Sequence, residues 1–111
     1  MDDRAKELTD YALGLLGEEA GEVCQMQGKW LRFGPDHARK DGLTARKGLS
    51  LEAGDILAAI DYGIAAGILD PATVAAQHKR KFARLTDPAS VDDEGRRLAP
   101  ELPTAAIRSA G

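Results

Sequence analysis

The chain has 111 residues, 43% of them hydrophobic and 30% charged, with a net charge of −3. That length suits one domain with a modest core. The composition is that of an ordinary soluble protein rather than a disordered or membrane one, and the negative balance gives no reason to expect nucleic acid as a partner.

Apolar residues recur at helical spacing in the first segment (Leu8, Tyr11, Leu15, Val23, Met26, Trp30), which predicts a helix over residues 3–27 capped by Asp2 or Asp3. The one cysteine, Cys24, has no internal disulfide partner and is expected to be a small buried thiol in a reducing compartment. Gly28, then Gly34 with Pro35, are expected to break the chain, and the polar, basic stretch 35–48 reads as a loop. A second helix is predicted from Thr44 or Ser50 to about Gly67. Its residues Leu51, Ile56, Leu57, Ile60 and Ile64 are apolar almost all round, so it is expected to be central and buried. Asp70-Pro71 is a restart signal for a third helix over 71–85, with Val74, Phe82 and Leu85 inside and its cations outside. Residues 1–86 therefore form the expected helical domain, and 87–111, rich in charge and proline, a flexible C-terminal tail or arm. No apolar run approaches the roughly 20 residues of a membrane span, and the acidic start is unlike a signal peptide. A cytoplasmic protein with no membrane partner is expected. The second helix needs more cover than its neighbours provide, and Gly54, Gly63 and Gly67 among several alanines would let another backbone come close. The expected architecture is an all-α helical bundle completed by oligomerisation.

Two groups of acids interrupt the apolar faces: Glu18-Glu19-Ala20-Gly21-Glu22 and Glu52-Ala53-Gly54-Asp55. With Leu8 at zero and about 100° per residue, Glu19 falls at about 20° and Glu22 at about −40°, inside the apolar stripe, while Glu18 lies at its edge. Glu52 and Asp55 sit one turn apart on a face shared with Leu51, Ala59, Tyr62 and Ala66. Four acids gathered between helices repel one another unless they are protonated or neutralised by cations. Oxygen ligands without histidine or cysteine beside them point to Mg²⁺, with Mn²⁺ as a substitute. Solvated surface acids paired with lysines and arginines are the plainer alternative.

The segments L-G-E-E-A-G-E-V and L-E-A-G-D-I-L resemble the all-α nucleoside triphosphate pyrophosphohydrolases of the MazG-like superfamily, whose hallmark is E-E-x-x-E followed by E-x-x-D. K-W-L-R-F-G (Lys29 to Gly34) is similar to a stretch of the phage and bacterial MazG-like proteins, and G-I-L-D-P-A-T-V (Gly67 to Val74) to the family's turn into its last helix. The likeness covers residues 5–85. It implies a fold of the all-α pyrophosphohydrolase type, a homodimer or homotetramer, and Mg²⁺ held by Glu19, Glu22, Glu52 and Asp55. The implied reaction hydrolyses a nucleoside triphosphate between its α and β phosphates, giving the monophosphate and pyrophosphate. Glu18 would orient the attacking water or support the ligands. Lys29, Arg32, Lys79 and Lys81 would neutralise the triphosphate, Trp30 or Phe33 would stack on the base, and Tyr62 would pack beside the site. His37 reads as a surface residue. The family's K-F-x-R has its counterpart in Lys81-Phe82-Ala83-Arg84, but the asparagine of many members is absent, with His78 or Lys79 in that neighbourhood. Two rival readings stand beside this one: a non-catalytic helical interaction module with an acidic face, and a phosphoribosyl-ATP pyrophosphohydrolase.

Overall fold

The computed structural model describes residues 2–106. Along them run α1 (Asp3–Phe33), α2 (Ala45–Ala65) and α3 (Pro71–Thr86). The only β pairing among the described residues is two isolated bridges, Ala38 with Thr44 and Val91 with Arg97, so the fold is all-α. The chain divides into two compact units, Met1–Asp70 and Pro71–Gly111. The division falls at the Asp70-Pro71 restart rather than after residue 86.

Asp2 caps α1 by accepting a hydrogen bond from the Ala5 N–H at 2.7 Å. The helix runs through Gly28, where a break was expected, to Phe33. A lone glycine costs a helix about 1 kcal/mol against alanine, and Met26 and Trp30 on either side of it are both at least half-buried. The helix stops at Gly34, whose φ of 86° and ψ of 164° place it where only glycine sits without strain.

The link to α2, residues 34–44, is short and internally bonded. Arg39 and Leu43 close a turn through the Arg39 N–H to Leu43 carbonyl bond (3.1 Å) and the Gly42 N–H to Arg39 carbonyl bond (2.9 Å). Gly42 supplies the positive φ of 83° that a three-residue hairpin loop needs. Arg46 clasps the link: its N–H donates to the Pro35 carbonyl (2.9 Å), and its Nε to Asp36 Oδ1 (3.2 Å). Thr44, one of the two expected starts, caps α2 by accepting from the Lys47 N–H at 3.1 Å. At its far end Gly67 takes a φ of 82°, while the Ile68 and Gly67 N–H groups return to the Gly63 and Ile64 carbonyls at 3.0 and 3.1 Å, a glycine-terminated stop of the Schellman kind.

α1 and α2 lie antiparallel, because Tyr11 meets Tyr62 with ring centroids 5.6 Å apart while Met26 packs on Gly48. The buried residues between them are small: Ala12, Ala59 and Gly63 towards one end, Gly48 under Met26 towards the other. Small side chains at a helix crossing let the axes approach. Within its own unit, and among the described residues, α2 is covered on this face. Leu51 and Leu57, expected inside, are 51% and 63% exposed, and Leu8 and Tyr11 of α1 are also exposed at the open end. Cys24 is exposed too, because it lies on the side of α1 turned away from α2; the buried thiol expected there is not what forms.

In the second unit α3 keeps Val74 and Phe82 half-buried, whereas Leu85 is exposed and no residue of the helix is fully buried. The stretch expected to be an arm holds a hydrogen-bonded turn: the Asp92 N–H donates to the Arg96 carbonyl (2.7 Å) and the Gly95 N–H to the Asp92 carbonyl (3.0 Å). Asp92 Oδ1 also accepts from the Glu94 and Arg96 N–H groups at 3.0 and 2.9 Å. This repeats the Arg39–Leu43 turn, with Gly95 at a φ of 80° in the role of Gly42. The end of the expected arm, 107–111, lies outside the described residues.

Replacing Gly34 by alanine tests how firmly the link sets the helix pair. Strain at its dihedrals predicts a loss of about 1–3 kcal/mol, read as a lower urea midpoint with an unchanged slope.

Candidate metal centre

A three-residue spacing brings two side chains to neighbouring positions on one helical face. On α1 it places Glu19 and Glu22 in the row that also carries Ala12 and Met26; on α2 it places Glu52 and Asp55 beside the buried Ala59. The antiparallel register then sets the two pairs level. One ligand oxygen from each of Glu19, Glu22, Glu52 and Asp55 lies within 4.8 Å of all the others. The three glutamates are half-buried and Asp55 is exposed, so the group opens to solvent on the aspartate side.

Two oxygens in this group are shielded from solvent and have no hydrogen-bond partner: Glu19 Oε2 and Glu52 Oε2. Leaving a buried polar atom unpaired is costly, and none of the six ion pairs seen among the described residues involves any of the four acids. Loss of hydration first, then the charges of Glu22, Asp55 and Glu18, push the Glu19 carboxyl above the ordinary glutamate range. Glu52 is raised in the same sense by loss of hydration, by a hydrogen bond with Glu22, and by the charges of Glu22, Asp55 and Glu19. Protons offset the repulsion at low pH; a hard divalent cation, which prefers several carboxylate oxygens, offsets it without them. An all-oxygen donor set with two unpartnered lone-pair atoms fits such an ion.

The other site residues expected from sequence fall into separate groups. Glu18 is exposed on the rim of α1 and contributes no oxygen to the cluster, yet its charge reaches Glu19. Trp30 has the Arg46 guanidinium 5.1 Å from its ring centroid, so one face of that ring already serves the clasp between α1 and α2. Phe33 is 56% exposed, with Arg32 5.7 Å from its centroid and the His37 ring stacked at 5.5 Å. Tyr62 packs edge-on to Tyr11. Lys79 and Lys81 are exposed on α3, in the second unit. Lys29 and Phe33 come together with Met26, His37 and Leu43 around a small cavity. From sequence Met26 reads as part of the apolar stripe and His37 as a surface residue, while Leu43 is not singled out. The Asp41-Gly42 pair, a hairpin-turn signal, is the cue that the basic loop folds back.

The sign of the pH dependence follows from the raised carboxyls. A folded-state value above the unfolded one means that the charged form burdens the native state. Without metal, the contribution of Glu19 and Glu52 is therefore least costly below the ordinary glutamate value of 4.5, and stability is lost as pH rises through their raised folded-state range. Thermal melts in chelator between pH 4 and 8 should show this decline. Glu19→Gln should flatten it, and Mg²⁺ at neutral pH should raise the melting temperature of the unaltered chain.

No family model matches this chain, and no curated protein or solved structure is significantly similar to it.

Proposed function

We propose that this chain is a Mg²⁺-dependent nucleoside triphosphate pyrophosphohydrolase of the MazG-like kind, releasing pyrophosphate from an NTP or dNTP. The observation that carries this reading is the convergence of four carboxylates with two unpartnered, shielded oxygens. The E-E-x-x-E and E-x-x-D spacings of Glu18, Glu19, Glu22, Glu52 and Asp55 support it.

In this reading Glu19, Glu22, Glu52 and Asp55 hold the metal, Mg²⁺ or Mn²⁺ in substitution. When bound, the ion offsets charge on the phosphate oxygens and on the leaving pyrophosphate. Glu18, free at the rim, accepts a proton from the attacking water and aims it at the α-phosphorus. Lys29 and Arg32, towards the C-terminal end of α1, attract the triphosphate. Asp55, as the exposed member, sits where substrate enters; the shielded Glu19 and Glu52 hold the inner side.

The active species is a homodimer or homotetramer. Large side chains left bare on α1 and α2, Leu51 and Leu57 among them, each contribute about 1.5–3 kcal/mol when buried. No helix among the described residues is long and apolar enough to cross a membrane, so these faces are not read as a spanning surface. The exposed, unpaired Cys24 suits a reducing, cytoplasmic setting.

Two measurements test this. Glu19→Gln and Asp55→Asn should each lower Mg²⁺-dependent pyrophosphate release by about 100-fold or more while far-UV circular dichroism stays helical; full activity in either variant refutes the metal assignment. Calorimetric titration that finds no binding of Mg²⁺ or of a non-hydrolysable triphosphate favours an interaction module instead. For assembly, sedimentation equilibrium should return a multiple of the monomer mass, reduced by Leu57→Glu.

A further inference from the structure

Two apolar strips, one on each unit, are left bare, and their charged borders have opposite sign. On the second unit α3 brings Val74, Phe82 and Leu85 to one face with the His78 ring among them, at the three- and four-residue spacing of helical neighbours. Together with Lys81 these residues line an open groove. The His78 ring lies parallel to Phe82 with centroids 6.2 Å apart, and Leu85 is exposed. α3 carries Lys79, Arg80, Lys81 and Arg84 and no acid, so cations alone border this strip. Arg80 donates to the Gln77 side chain at 2.6 Å. None of the four cations enters an ion pair among the described residues.

On the first unit the open end of the helix pair holds a groove of about 800 Å³, in which Leu8, Tyr11 and Tyr62 meet Asp2, Arg4 and Glu7. Tyr11 is 61% exposed and Leu8 42%, so the edge-on tyrosine pair forms an uncovered apolar floor. Residues 2–10 hold four acids, Asp2, Asp3, Glu7 and Asp10, against Arg4 and Lys6. Lys6 is taken up by Asp10 at 2.7 Å. Asp61 adds a further acid beside Tyr62, and α2 has no cation after Lys47. This border is acidic on balance. Asp3 and Glu7, one turn apart on α1, enter no ion pair among the described residues.

A strip bordered by cations therefore matches a strip bordered by acids. Burial of the apolar centres supplies the attraction, and the opposite borders set the orientation. Two α3 faces laid on each other would oppose cation with cation, which selects against that pairing. We propose that the α3 face docks in the Leu8–Tyr11–Tyr62 groove of a second copy of this chain. Each copy carries both a strip and a groove, so two equal contacts close a two-fold dimer. Leu51 and Leu57 are left for the second interface that a tetramer requires. The inference rests on the homo-oligomer reading for its partner, not on the hydrolase chemistry.

Sedimentation equilibrium of the full chain tests it by exchanging charges. Asp3→Lys with Glu7→Lys reverses the groove; Lys79→Glu with Lys81→Glu reverses the strip. Each double variant alone should keep its helical circular dichroism and raise the dissociation constant of the dimer by about tenfold or more, because like charges now meet at both contacts. Mixed in equal amounts, the two variants should recover the assembled mass. In the mixed pair one contact is unaltered and the other has both signs reversed. Docking within one chain could not recover in this way, since every contact would stay repulsive. Unchanged association of both double variants, or no recovery on mixing, overturns the proposal. A monomeric unaltered chain overturns it together with the oligomer reading, while pyrophosphate release reports on the hydrolase separately. A multimer indifferent to these substitutions but dissociated by Leu57→Glu removes this interface and leaves the oligomer.

Discussion

The antiparallel register of α1 on α2 is the constraint on which the rest of this molecule depends. Shift it by one residue and Glu19 and Glu22 no longer stand level with Asp55 and Glu52; the shared set of oxygens within 4.8 Å is lost. Three features hold that register. Small residues at Ala12, Ala59 and Gly63 allow close approach at one end. Met26 keys over Gly48 at the other. The folded link clasped by Arg46 fixes how far the chain travels between the helices.

That geometry works against itself when the acids are bare. Like charges are driven together by apolar packing around them, and the carboxyls answer by holding their protons more tightly. Packing thus stores an electrostatic cost that a bound cation would relieve, and stability would then be linked to occupancy of the site. The same repulsion explains why neutralising one acid is expected to help the fold: the charged side chain burdens the helix pair.

The clustering of charge and of apolar surface on the same pair of helices also bears on assembly. Among the described residues the buried apolar set is only Ala12, Met26, Ala45 and Ala59, too little hydrocarbon for a 70-residue unit to be comfortable alone. Leu51 and Leu57 remain largely exposed, outside what α1–α2 packing covers. A partner over those faces would add apolar burial without touching the acid row, because the row lies in the seam between the two helices.

Much of this was legible in the chain itself. Helical periodicity placed the helices, with starts at Asp2 or Asp3, at Thr44 or Ser50 and at Asp70-Pro71, and it set Glu19 with Glu22 and Glu52 with Asp55 on one face of each helix, since rotation per residue is a local property. The continuation of α1 past Gly28 was not legible, because a single glycine is a weak local penalty that contacts at Met26 and Trp30 outweigh. Nor were the exposed Leu57 and Cys24, since which side of an apolar helix is covered depends on what lies across from it. The engagement of Trp30 by Arg46 and the cavity behind Met26 belong wholly to tertiary structure: each needs the link to fold back on α1, and residues distant along the chain meet only once the two helices have docked. The sequence by itself determined that each pair of acids would share one face of its helix, because rotation per residue is local; only docking brought the two faces together, so that the four meet at one point.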